Sequence, residues 1–167
     1  MIDEIDRKIL AILQENARIP NAEIARQVGM APSAVLERIR KLEREGVIQG
    51  YEARLQPKAL HKGLLAFIFV RSDDPVGGLD TAKWLAHIPE VQEVHFIAGE
   101  DCYLLKVRVA DTEALGQLLR ERLGTVESIR STRTTIVLET VKEITKLPLY
   151  DRPDAIEVNR RESSESV

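Results

Sequence analysis

A second cysteine is missing: Cys102 stands alone in 167 residues, so no disulfide can form within the chain, and the usage fits a reducing compartment. Long apolar runs are missing as well. The longest, Leu64–Val70 (LLAFIFV), is seven residues. That is far short of the ~18 expected of a membrane span, and it reads as a buried strand. The chain opens on MIDEIDRKIL, with acids at once and no basic-then-apolar leader; no signal peptide is expected, and the expected location is cytoplasmic. No phosphate loop, GxSxG or dinucleotide fingerprint occurs, and Gly77–Gly78 reads as a loop hinge. His61, His87, His95 and Cys102 match no close-set zinc spacing, and Cys102, opening an apolar strand, reads as a small core or interface residue. No acid, base and nucleophile set can be assembled. Neither an enzyme nor a bound metal or cofactor is expected.

An excess of positive charge is also lacking, since the net charge is −3. The two halves differ, however. Residues 1–62 hold 11 Lys+Arg against 9 Asp+Glu, a balance of +2, and residues 63–167 hold 13 against 18, a balance of −5. The asymmetry has the sign expected of an N-terminal nucleic-acid module.

What is present begins with three short amphipathic helices. Ile5, Ile9, Ile12 and Leu13 recur at helical spacing over Asp3–Glu15, with Asp3, Glu4 and Asp6 in the first turn, where the helix dipole favours acids. Asn21 is the candidate N-cap of a second helix over Ala22–Val28, closed by Gly29. A third starts near Pro32, buries Val35, Ile39 and Leu42, and stops at Gly46. Two short helices joined by a glycine turn make a helix-turn-helix, whose second helix enters the major groove. Ser33, Ala34, Glu37, Arg38 and Lys41 are therefore the candidate base readers. Arg38 suits guanine and Glu37 suits cytosine. Arg18, Asn21 and Arg26 are candidates for phosphate contact, which positions the protein without specifying sequence. Each exposed charge taken singly reads equally well as solvated surface; the ordered set of caps, turn and short helices is more specific than any member. Val47–Leu55 predicts a strand leaving the third helix.

From Gly63 the period changes. Leu64–Arg71 predicts a strand, Leu79–His87 a helix, Val91–Ala98 and Cys102–Val109 a hairpin around Gly99–Asp101, Asp111–Leu123 a helix, and Val126–Val141 a long strand. The order βαββαβ is that of a ferredoxin-like domain with both helices on one sheet face. Because LLAFIFV is apolar at both parities, the second face needs a cover too. The chain has no segment left over for it, so a second copy is expected to supply it. In the Gly99 turn, glycine lets backbone N–H groups approach a carboxylate, and Glu100 or Asp101 could pair with an ammonium group. An ordinary tight hairpin with solvated acids reads equally well.

The stretch IDEIDRKILAILQENARIPNAEIARQVGMAPSAVLERIRKLEREGVIQGY closely resembles the Lrp/AsnC family of feast/famine regulators. VHFIAGEDCYLLKVRV and RTTIVLETVKE resemble that family's second domain, and the likeness spans about residues 2–148. The resemblance implies an α+β chain: a winged helix-turn-helix domain followed by a ferredoxin-like (RAM/ACT-like) domain. It implies a transcriptional regulator that binds double-stranded DNA at palindromic operators as a homodimer, often gathered into an octamer. It also implies an amino-acid effector bound between C-terminal domains, with Ala98, Gly99, Glu100 and Asp101 matching the family's effector loop and Thr134 and Thr135 lining the same site. Two departures stand out. Ala31 occupies the cap position of the third helix where many members carry Ser, and Cys102 stands where many carry Asp. The predicted organisation is residues 1–55 helix-turn-helix, 56–63 linker, 64–148 effector-binding and oligomerisation domain, and 149–167 tail. An architectural DNA-compacting protein without effector, and a sensor acting through protein contacts alone, are the competing functions.

Overall fold

The computed structural model describes residues 1–75 and 77–150. Three helices form the N-terminal unit: α1 (Glu4–Glu15), α2 (Asn21–Val28) and α3 (Pro32–Arg44). Asp3 caps α1 in a reciprocal box. Its Oδ1 accepts the Asp6 N–H at 2.8 Å, and Asp6 Oδ2 accepts the Asp3 N–H at 3.1 Å. Helix α2 closes at Gly29, whose φ of 70° is the left-handed conformation glycine tolerates. Its N-cap is Pro20 rather than Asn21, which lies inside the first turn. Ile9, Ile24, Ala25, Val35 and Ile39 form the buried core, joined at its edge by Ile5, Ile12, Leu13, Val28 and Met30. Each fully buried isoleucine or valine among them contributes about 1.5–3 kcal/mol.

The expected strand over 47–55 does not form. Those residues run as irregular chain with Val47, Tyr51 and Leu55 exposed. A strand needs a partner for its ladder, and among the described residues no strand lies beside it. Tyr51 instead donates its hydroxyl to Glu43 at 2.9 Å.

The chain divides into two compact units. The first is Met1–Ala53 with the described residues from Ile144 onward; the second is Arg54–Glu143. Residues 144–148, expected in the second domain, cluster with the helices in this division. Lys146 pairs with Glu15 at 2.7 Å, Gln14 exchanges two hydrogen bonds with the Leu147 backbone, and Arg7 donates to the Leu149 carbonyl at 3.1 Å. This segment straps the outer side of α1. The expected tail lies outside the described residues from position 151 on.

The second unit carries strands β1 (Leu64–Ser72), β2 (Val91–Phe96), β3 (Tyr103–Val109) and β4 (Ile129–Ile136), with helices α4 (Asp80–Leu85) and α5 (Thr112–Gln117). A π-type turn over Leu118–Arg122 and a 3-10 turn over Leu123–Thr125 extend α5, and the expected linker holds a 3-10 turn at Pro57–Leu60. The sheet is antiparallel in the order β2-β3-β1-β4, the order a split βαββαβ connection produces. Strand β4 is shorter than expected, ending at Ile136 opposite Ala66 with one last bond from the Val137 N–H to the Leu65 carbonyl. Beyond that point β1 has only Leu64 left, which pairs with Val109 of β3 on its other edge.

Ala66, Ile68 and Val70 of β1 and Leu105 and Val107 of β3 bury against Leu85, Leu115 and Leu118 of the helical layer. Phe67 and Phe69 alternate to the other face, which no helix covers among the described residues. That face is not wholly bare, contrary to the sequence expectation. Glu143 returns onto it, accepting from Lys106 and, at 2.7 Å, from Arg108.

Candidate functional site

Helix α3 starts at Pro32, with Ala31 as an N-cap that supplies no side-chain hydrogen bond. Its buried stripe of Val35, Ile39 and Leu42 fixes which residues face out. Ser33 and Glu37 are exposed, and Ala34 and Lys41 are half-buried. Glu37 accepts from Arg40 one turn on at 3.2 Å, and Lys41 Nζ stands 4.0 Å from Glu45; surface pairs of this kind are weak enough to be exchanged for another partner.

Arg38 is different. Its Nη1 donates to Asp3 at 2.6 Å and to Asp6 at 2.7 Å. Asp6 is 2% exposed and the Arg38 side chain 28%. The hydrogen bonds to Asp3 and Asp6 raise the guanidinium's pKa above its ordinary value. Asp3 is held below the usual carboxylate range, chiefly by the Asp6 N–H and then by Arg38. Helical spacing alone puts Arg38 among the free base readers; the structure makes it the counter-ion of a buried carboxylate. In the sequence Asp6 stands only as a first-turn acid suited to the helix dipole. The available signal is its place three residues before Ile9 and seven before Leu13, on the buried stripe.

Of the candidate phosphate contacts, Arg18 is exposed and Asn21 half-buried at the start of α2. Arg26 is exposed and forked onto Glu23, Nε to Oε2 at 3.0 Å and Nη2 to Oε1 at 2.5 Å. The bonds from Arg26, then Gln27, pull Glu23 down to about 2.

The loop between β2 and β3 gathers the other candidates. Ala98, Gly99 and Glu100 are exposed and Asp101 is half-buried. Gly99 has φ 148°, with open space where a Cβ would stand; strain, not crowding, would oppose a side chain there. Two arginines that sequence reasoning does not single out attend this loop. Arg71 donates from Nε and Nη2 to the Glu100 carbonyl at 3.2 and 3.1 Å. Arg133 donates to Asp101 at 2.9 Å while its guanidinium lies 4.0 Å over the Phe69 ring, a cation–π contact. Thr134 and Thr135 are not brought to one side. Thr135 pairs with Phe67 on the helix-free face, whereas Thr134 pairs with Ile68 and faces the helical layer. Alternation along a strand forbids neighbours from sharing a face. The helix-free face therefore brings together Asp101, Arg133, Phe69 and Thr135. The signal that could have found Arg133 is its parity with Thr135.

Beneath the loop after β1 lies a partly buried polar knot. Asp74 accepts from Thr81 Oγ1 at 2.8 Å and from the Tyr103 hydroxyl at 2.5 Å, and Thr81 Oγ1 lies 2.6 Å from Ser128 Oγ. Cys102 sits beside it with its Sγ 3.4 Å from the Ser72 N–H. Among the described residues, no group of three or more His, Cys, Asp or Glu is placed to hold a metal ion, and no helix is long and apolar enough to cross a membrane.

Comparison with known proteins places both units. A family model described as winged helix-turn-helix DNA-binding matches residues 2–49, and one described as the Lrp/AsnC ligand binding domain matches residues 65–147. The leucine-responsive regulatory protein of Escherichia coli (strain K12) is 41% identical over 155 residues, 90% of this chain and 93% of that protein. A Neisseria meningitidis transcriptional regulator solved as its L-Met complex superimposes with TM-score 0.83 at 33% identity, covering 89% of this chain and 97% of that one. A feast or famine regulatory protein from M. tuberculosis complexed with L-methionine gives 0.81 at 39% identity, covering 88% and 99%.

Proposed function

The chain belongs to the Lrp/AsnC family, and from that premise we propose a sequence-specific DNA-binding transcriptional regulator whose operator affinity is modulated by an amino acid. The observation that carries the reading is α3 itself. A helix pair closed at Gly29 buries Val35, Ile39 and Leu42 and leaves Ser33 and Glu37 exposed on the other side. Ser33, Ala34, Glu37 and Lys41 are the proposed base-edge contacts, with Glu37 accepting from cytosine. Arg18, Asn21 and Arg26 are the proposed phosphate contacts; for Arg26 a phosphate would replace the half-buried Glu23 carboxylate.

The proposed effector site is the Ala98–Asp101 loop with Thr135. The backbone at Gly99 would take the amino acid's carboxylate and Asp101 its ammonium group. The likeness to two regulators solved with L-methionine supports an amino acid as ligand. A second copy meeting the Phe67 and Phe69 face would give a homodimer, and two-fold symmetry would then call for a palindromic operator. The amino acid acts only if it binds the DNA-competent assembly and the alternative with different affinities.

Selection of bound duplexes from a random pool, repeated with each common amino acid, tests this. The expected result is a palindrome whose recovery changes with at least one amino acid. Equal recovery of all sequences would establish an architectural binder instead.

A further inference from the structure

We propose that Arg38 is a positioning residue for DNA reading: it pins α3 to the capping box of α1 and so sets which way Ser33, Glu37 and Lys41 face. The inference rests on the DNA-reading role of α3 proposed above. A carboxylate as buried as Asp6 needs a cation and hydrogen bonds to stay there. Asp6 has both, the Asp3 N–H on Oδ2 and Arg38 on Oδ1. The anchor is stiff. Asp3 and Asp6 are tied to each other's backbone N–H at 2.8 and 3.1 Å, so both carboxylates are fixed to the first turn of α1 rather than swinging on free side chains.

Arg38 follows Glu37 directly and stands between the buried Val35 and Ile39 and the outward Lys41. The apolar stripe alone sets how deep α3 sits, because aliphatic contacts are non-directional and tolerate a small roll or slide. Two directed bonds from one nitrogen do not. Reading bases requires side chains held to within about 0.5 Å and 10–20° by locked neighbours, and the bridge supplies that lock. Turning Arg38 outward to a guanine would leave Asp6 buried and unpaired, a penalty of the same order as the stabilisation a guanine edge could return. The guanidinium is thus engaged within the protein.

The geometry makes a distinctive demand. Both carboxylates are met by Nη1 alone, a task one ammonium nitrogen can perform. Binding to the selected operator and to random duplex is measured across a salt series for the wild type, Asp6→Asn, Arg38→Gln, the double variant and Arg38→Lys, with folding followed by circular dichroism. The expected result is about a tenfold fall in the operator-to-random ratio for each of Asp6→Asn and Arg38→Gln, the loss of roughly one base contact. The double variant should be no worse than either single, the salt slope unchanged, and the ratio largely kept in Arg38→Lys. If Asp6→Asn fails to fold, Asp3→Asn, whose carboxylate is half-exposed, weakens the same bridge and should lower the ratio in the same direction.

The proposal is overturned if Asp6→Asn, or failing that Asp3→Asn, holds or raises operator affinity while Arg38→Gln loses it. A salt slope reduced by about one in Arg38→Gln, or losses that add in the double variant, would overturn it equally, because Arg38 would then contact DNA itself. A wild type without preference among duplexes would instead remove the DNA-reading premise, and this inference with it.

Discussion

Single residues in this chain change meaning with their neighbours. Tyr103 is fully buried, and its hydroxyl donates to Asp74. Burial, reinforced by that carboxylate, pushes the phenol up to about 12. Burial alone would raise Asp74, but the bonds from Tyr103 and Thr81 outweigh it and hold the carboxyl below its ordinary 3.8. The pH dependence follows. The Asp74 contribution is present above pH 3.8 and lost as pH falls through the folded value. The Tyr103 contribution is complete below the ordinary 10.0 and lost as pH rises toward about 12. Tyr103→Phe removes a hydrogen bond to a charged group and is expected to cost about 1.5–3 kcal/mol in urea unfolding at neutral pH, with a smaller difference from wild type below the Asp74 transition. None of this knot is legible in the sequence, because its members lie at positions 74, 81, 103 and 128 and no local period joins them. Asp6 and Arg38, 32 residues apart, escape notice as a pair for the same reason.

Elements are far more legible, because their signals are local. The stripes Ile9, Ile24, Val35 and Ile39 and the left-handed Gly29 and Gly46 follow from helical spacing and backbone freedom. Apart from the N-cap of α2, which is Pro20 and not Asn21, the failures fall where an element depends on a partner. The strand expected over 47–55 has nothing to pair with, and β4 stops opposite Ala66, close to the start of β1. Thr134 and Thr135, joined by resemblance, are separated by strand alternation. The resemblance also marks the weak start of α3, and Ala31 indeed provides no capping bond. Ala31→Ser is expected to raise the unfolding free energy of the helical unit by about 1 kcal/mol, read by denaturant titration. An unchanged midpoint would mean that the α3 amides are already satisfied.

At the scale of the molecule, one feature of the composition finds a place and one does not. The +2 balance of the first 62 residues rests on Arg54, Lys58 and Lys62, which lie in the second unit. Met1–Ala53 itself holds 8 Lys+Arg against 9 Asp+Glu, so the proposed contact of α3 with DNA rests on its local side chains and not on a net positive field. The apolar surplus of LLAFIFV accompanies a sheet with Phe67 and Phe69 on its helix-free face, the face proposed to meet a second copy. What the chain's own fold leaves open in each unit is what its partners are proposed to complete: DNA on the outer side of α3, and another subunit on the sheet. The most direct test is to repeat the random-pool selection with Glu37→Ala beside the wild type. The expected result is loss of preference at one base position in each half-site, with the rest of the palindrome intact. Recovery of an unchanged motif would contradict the assignment of α3 as the helix that reads the duplex.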